Sequence, residues 1–243
     1  MSSVETLQKN DTLGHVAVID VCGLSFTSVR ANEWVLRQFG PAIDALHLPK
    51  NLQKGDVLAQ PQEYFLGTNQ SIALIKVPSV IKEYLDHIGP KTRNMIRKAQ
   101  KYNYTSNTFI WNEHLESIHS INTSKAVRQN SPMSASYKNF PDTSGEHISI
   151  RRCGIFLHST LVAYANCTVL NNLLVINTIL GHGDHLRFGI MNLLVYSIVE
   201  LAIKLPKAQY INYLTLRPGG LGRFKKNAGF RPYSCFFRRE TVQ

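Results

Sequence analysis

The stretch from Leu173 to Leu216 restricts the fold more than any other part of the chain. Leu173 to Leu180 is a run of strand-forming residues that ends at Gly181. Further glycines stand at 183 and 189, after which Ile190, Leu193, Leu194, Ile198, Leu201, Ala202 and Leu205 recur at helical spacing until Pro206. Tyr210 to Leu216 reads as another strand. A strand, helix, strand crossover pairs parallel, whereas strands joined by tight turns pair antiparallel. The meander that leads into the crossover has three strands, Ile148 to Phe156, Leu161 to Leu170 and Leu173 to Leu180, with turns at 158–160 and 171–172. The fold class expected is therefore α+β (α/β), a mixed and mostly antiparallel sheet flanked by helices.

Upstream, Ser71 to Val77 suits a strand, and Ser79 is placed to cap a helix that runs to His87 and stops at Gly89-Pro90. Lys91 to Lys101 reads as a helix with Met95, Ile96 and Ala99 on one face and Arg93, Arg97 and Lys101 on another. A strand over Tyr104 to Trp111 follows, then a helix capped by Asn112 that carries Leu115, Ile118, His119 and Asn122. Residues 123–141 are polar and loop-like. Near the C-terminus, Gly220 to Asn227 reads as a short helix stopped by Gly229, and Tyr233 to Arg238 as a last strand. Residues 1–69, with a strand over His15 to Val21 and a helix over Asn32 to Phe39, form an N-terminal elaboration. Residues 70–243 form the main domain.

Charge narrows the partners. The chain of 243 residues carries 27 Lys+Arg against 16 Asp+Glu, a net +11, yet only 18% of residues are charged and 44% are hydrophobic. That balance belongs to a packed body, not a disordered basic tail. The excess is local: five basic residues and no acid lie between Lys91 and Lys101, seven and none between Arg217 and Arg239. An anionic partner is expected, and nucleic acid, a membrane surface or a phosphate-rich cofactor would each supply the charge. The N-terminus has no signal-peptide pattern and no apolar run spans a bilayer, so no stable membrane insertion and a cytoplasmic location are expected. Cys22, Cys153, Cys167 and Cys235 form no C-x-x-C pair, which argues against a zinc site or a disulfide framework, and no metal is expected. There is no Gly-x-Ser-x-Gly elbow, no P-loop and no Rossmann fingerprint.

Glycines between a buried strand and a helix let the backbone approach a ligand, and the helix N-terminus favours a phosphate there. The segment Ile179-Leu180-Gly181-His182 through Gly189-Ile190-Met191-Asn192-Leu193-Leu194 resembles the fourth core strand, pyrophosphate turn and helix of the GNAT (acyl-CoA N-acyltransferase) superfamily. Gly220-Leu221-Gly222-Arg223-Phe224-Lys225-Lys226-Asn227-Ala228-Gly229-Phe230 is similar to the ending of its FemAB-like branch, and the basic helix from Lys91 to Lys101 resembles one found early in FemAB-like domains. The likeness covers roughly residues 70–240. Leu186 stands where the GNAT turn has Gln or Arg, Met191 stands at its last small position, and Lys225 occupies the place of the Tyr that protonates the leaving thiolate in many members.

The resemblance implies an N-acyltransferase moving an acyl group from acyl-CoA (acetyl-CoA or longer) to an amine acceptor. It also leaves room for aminoacyl transfer from tRNA, and a non-catalytic RNA-binding module on a GNAT scaffold is a third reading. It places the cofactor on Leu180, Gly181, Gly183, Arg187, Phe188, Gly189, Ile190, Phe224 and Lys225. Candidate bases are His182 and His185, with Asp184 either orienting a histidine or capping the helix. Tyr213 faces either the cleft or the core. Asn177 lies on a strand edge able to offer backbone groups to an acyl carbonyl. The loop carrying Asn122, Arg128, Gln129 and Met133 is either acceptor-binding or plain surface, and Glu146 and His147, which precede the meander, either reach an acceptor pocket from a strand end or are simply solvent-exposed.

Overall fold

The computed structural model describes residues 18–21, 24–25, 63–65, 72–128, 131–143, 150–170, 173–216, 218–233 and 236–238. In chain order the elements are β1 (Val18–Val21), β2 (Leu24–Ser25), β3 (Glu63–Phe65), β4 (Ile72–Lys76), α1 (Ile81–His87), α2 (Pro90–Lys101), β5 (Tyr104–Thr108) and α3 (Leu115–Thr123). Then come β6 (Val127–Arg128), β7 (Ser131–Pro132), β8 (Ile150–Leu157), β9 (Thr160–Leu170), β10 (Leu173–Gly181), α4 (Ile190–Ile203), β11 (Tyr210–Thr215), α5 (Gly220–Asn227), β12 (Arg231–Tyr233) and β13 (Phe236–Arg238). The chain divides into two compact units, one of residues 1–74, 214–217 and 231–243, the other of residues 75–213 and 218–230.

In the first unit β1, β2, β3 and β13 form a sheet of order β2-β1-β13-β3, its pairs antiparallel, and β12 pairs antiparallel with Ile72 to Leu74. Tyr233 to Arg238, expected as one strand, is split between β12 and β13. The expected helix over 32–39, the start of the strand at His15, the turn at 171–172, and Gln129, Glu146 and His147 lie outside the described residues.

The second unit holds the strand order β11-β10-β9-β8-β5. The pairs β5/β8, β8/β9 and β9/β10 are antiparallel and β10/β11 is parallel, as the crossover predicts. Along β9, Leu161 to Ala165 and Cys167 are all buried, an unbroken run that signals cover on both faces of the sheet. On α4, Ile190, Leu193, Leu194, Val195, Ile198, Val199 and Ala202 are buried, and the helix packs on β8 and β9 and against α2. On α3, Ile118 and Ile121 pack with Leu161 and Tyr164, with Phe109, Trp111, Phe156 and Leu180 around them.

Local chemistry explains where the elements begin and end. Pro90 opens α2, where its missing N–H costs nothing. Ser79 does not cap α1: Val80 holds the N-cap position, and the Ser79 N–H instead donates to the Glu83 carboxylate at 2.9 Å. The strand after α2 stops at Thr108, and Asn112 lies in a 3-10 turn (Trp111–Glu113), so His114 takes the N-cap position of α3. Within 123–141 the chain forms the β6/β7 hairpin and a 3-10 turn at Ala135–Tyr137. The basic face of α2 is smaller than its spacing suggests. Arg93 Nη1 donates to the carbonyls of Leu85 and Ile88, satisfying the end of α1, so Arg97, Lys98 and Lys101 are what α2 exposes beside Lys91. Thr92 Oγ1 and Tyr84 Oη donate to the carbonyls of Asn227 and Ala228, which fixes the end of α5.

Candidate functional site

Strands β10 and β11 pair only from Leu173/Tyr210 to Val175/Asn212. The register of β10 against β9 shifts between Ile176 and Thr178, a bulge at Asn177, and bulges bend a strand. Beyond it, Ile179 to Gly181 no longer ladder with β11. A cavity of about 320 Å³ lies there, lined by Ile179, Leu180 and Gly181 of β10, Leu186 and Met191 from the turn and α4, Tyr213 of β11, Leu221 and Phe224 of α5, and Lys125, Val127 and Arg128 after α3. That volume is at the small end of ligand pockets.

Tyr213 is 8% exposed, so both alternatives for it hold in part: its ring packs on Phe230 at 5.7 Å and its side chain borders the cavity. Burial raises its pKa well above the usual phenol value, so the hydroxyl stays protonated, and it hydrogen-bonds to no described residue. Lys225, 3% exposed, donates from Nζ to the Tyr213 carbonyl at 2.7 Å and lies 4.1 Å from the ring centroid. It thus supports Tyr213 and is not a lining residue.

Arg128 is half-buried in the cavity wall. Nη1 donates to the Gly181 carbonyl at 3.0 Å, and Nη2 donates to the Ile121 carbonyl at 2.9 Å and to Ser124 Oγ at 3.0 Å. Nε is buried and takes no partner among the described residues. Burial lowers the guanidinium pKa. Ser124 Oγ also accepts from the Gly183 N–H at 3.0 Å and donates to the Ile121 carbonyl at 2.8 Å, so one hydroxyl ties the end of α3 to the turn after β10.

The histidines lie elsewhere. His182 is the N-cap of a 3-10 helix, Gly183–Phe188, its Nδ1 accepting from the Asp184 N–H at 3.4 Å. Capping therefore falls to His182. The Asp184 carboxylate, its side chain 90% exposed, comes only to 3.9 Å of that nitrogen. His185 Nδ1 is 2.7 Å from Tyr104 Oη. Burial, then the neighbouring His182, lowers the His185 pKa, and burial raises that of Tyr104, so a neutral phenol and a neutral imidazole share this hydrogen bond, the imidazole tautomer setting which of them donates. None of these three lines the cavity.

Among the expected cofactor residues, Leu180, Gly181 and Phe224 line the cavity. Gly189 has φ 87°, and a Cβ there would lie 2.3 Å from the Met95 carbonyl oxygen, so this glycine accommodates the backbone of α2. At Gly181 a Cβ would meet the Met191 sulfur at 2.7 Å. Ile190 is buried in the core. Arg187 and Lys98 lie 4.8 and 5.7 Å from the Phe188 ring, which packs on Tyr102 at 4.9 Å; Tyr102 is 50% exposed. These make a basic and aromatic patch apart from the cavity lining.

Of the described residues expected to bind substrate, only Arg128 lines the cavity. Asn122 is buried and accepts from Tyr164 Oη at 2.8 Å. Asn177 donates to Thr168 Oγ1 at 2.7 Å, exposed, and the Met133 N–H donates to the Ala126 carbonyl. Sequence reasoning missed Lys125, Val127, Ile179, Leu186, Met191 and Leu221 as lining. Only the apolar composition around the glycine turn hinted at the lining. Among the described residues no three His, Cys, Asp or Glu are grouped to hold a metal ion, and no helix is long and apolar enough to cross a membrane.

No protein-family model matches the chain, and no curated protein matches it. Solved structures do. FemX matches with a TM-score of 0.55 at 11% identity, over 71% of this chain and 61% of FemX, so the chain spans less than two thirds of that protein. The C-terminal domain assigned to a lysylphosphatidylglycerol synthetase from Agrobacterium fabrum matches with a TM-score of 0.50 at 12% identity, over 99% of this chain and 91% of that one. L-PGS from Bacillus licheniformis matches with a TM-score of 0.50 at 11% identity, over 94% and 82%. These likenesses are of fold: the chain shares with them the mixed, mostly antiparallel sheet flanked by helices that the sequence leads one to expect.

Proposed function

We propose that this chain is an acyl- or aminoacyltransferase that passes the group from an activated carbonyl donor to an amine, with the cavity where β10 and β11 part as the transfer site. The observation that carries this is the protonated Tyr213 phenol, free of hydrogen bonds to the described residues, bordering a small chamber beside main chain released from its ladder. The backbone of Ile179 to Gly181 aligns the carbonyl. Tyr213 donates a hydrogen bond to the oxygen that gains charge, or a proton to the leaving group. The cavity wall holds no carboxylate or imidazole among the described residues, so the amine attacks in its neutral form and loses its proton to water or to the departing group. Lys225, beneath Tyr213, adds positive potential where negative charge develops.

Two donors fit this scheme. Acyl-CoA, with its pyrophosphate at the Gly189 turn, is the donor that the GNAT resemblance implies. Aminoacyl-tRNA is favoured by two observations: α2 covers the Gly189 position, and Arg97, Lys98, Lys101, Tyr102, Arg187 and Phe188 supply cations and rings suited to RNA. Both are assayed together by mass spectrometry, with acetyl-CoA, longer acyl-CoAs or charged tRNA offered alongside an amine. Amide product from either donor supports transfer and names the donor. No product from any of them, with folded protein, overturns the proposal, and RNA binding alone would leave the non-catalytic module.

A further inference from the structure

The cavity also selects its acceptor. Among the described residues its lining contains two cations, Lys125 and Arg128, and no acid. Lys125 is exposed at the rim, whereas Arg128 is half-buried. Every hydrogen bond of the Arg128 side chain goes to a neutral oxygen, from two carbonyls and one hydroxyl, and its buried Nε has none. A guanidinium held in an apolar wall with no counter-ion among the described residues is costly, and the lowered pKa of Arg128 accords with that desolvation. The charge is compensated when an anion enters. Leu186, Met191, Leu221 and Phe224 require the rest of that ligand to be apolar.

The geometry points to an acceptor that is a small apolar amine bearing its own carboxylate, an apolar α-amino acid in chemical class, with the carboxylate docked on Arg128. This rests on the transfer reading above. A carboxylate suits the site better than a phosphate monoester, because Lys125 is exposed at the rim where water screens it, which leaves Arg128 to neutralise one charge within the apolar wall and a dianion undercompensated there. Among the described residues the wall has no acid to hold a free ammonium, which agrees with an acceptor whose amine is neutral when it reacts.

Binding tests this without turnover. N-acetyl-L-leucine, its amide and isopentyl phosphate are titrated calorimetrically into the full chain at neutral pH. The acid should bind roughly 10–100-fold more tightly than the amide, the range for a hydrogen bond to a charged group, and R128Q should remove most of that preference. Equal affinity for acid and amide, or tighter binding of the phosphate, overturns the inference even if transfer activity is found. Preference for the acid supports it even if no donor is yet active. R128Q also loses bonds to Ile121 and Gly181, so L221W serves as a second variant that fills the chamber: lost binding of the acid supports the assignment, and retained binding overturns it.

Discussion

Two residues of the second unit separate chemistry from stability. The Tyr213 hydroxyl bonds to no described residue, so Tyr213→Phe should leave stability within about 0.5 kcal/mol while slowing transfer roughly 10²-fold or more. Urea denaturation and a single-turnover assay check the two halves, and a variant with unchanged rate removes Tyr213 from the chemistry. Gly189 is the reverse case. Its φ of 87° and the 2.3 Å from an added Cβ to the Met95 oxygen predict that Gly189→Ala destabilises by well over about 1 kcal/mol. Gly219 has φ 110° with nothing within 4 Å of an added Cβ, so Gly219→Ala should cost less, the strain alone. Urea midpoints of the two variants decide it. At this scale the sequence placed Tyr213, Gly181, Leu180, Phe224 and Arg128 on segments that do meet at the cavity. It gathered His182, Asp184 and His185 as candidate bases because they adjoin the turn, and the cavity lining among the described residues includes none of the three.

At the scale of elements, the turn before α4 is held from two sides, by Ser124 to the end of α3 and by the pair of Tyr104 with His185 to β5. The second has a pH signature. The folded chain keeps His185 neutral, with its pKa below that of the unfolded chain, so the unfolded state binds more protons under mildly acidic conditions. This contribution to stability is complete above the ordinary histidine value of about 6.5 and is lost as pH falls through the lower, folded value. The urea midpoint should therefore decline as pH falls below about 6.5, and His185→Asn should flatten part of the decline. A slope untouched by the substitution would show that another group governs it. Periodicity found α2, α4 and α5 because their apolar spacing is strong. It misplaced the caps of α1 and α3, since a cap depends on which side chain reaches which N–H, and several polar residues near each start could have served.

For the whole molecule, the net charge of +11 is concentrated in segments, and two kinds of binding should respond differently to salt. Affinity for tRNA at the Arg97, Lys98 and Lys101 face of α2 should fall steeply with salt, with a log–log slope that grows with each phosphate neutralised. Binding of N-acetyl-L-leucine at the half-buried Arg128 should change little, because buried pairs are weakly screened. Titrations of both ligands at low and high salt make the comparison, and parallel slopes would place them at one exposed surface.

By itself the sequence determined the long strands and helices of the second unit, the mixed sheet and the parallel crossover, though not the β6/β7 hairpin, because hydrophobic period and glycine placement are local and strong. Only the tertiary structure decided where β10 and β11 part, which side chains line the space between them, and that Gly189 faces the backbone of α2. Those facts depend on contacts between residues far apart in the chain, such as Gly181 with Arg128 and Tyr213 with Lys225, and no local pattern encodes the direction in which a side chain leaves a strand end or a turn.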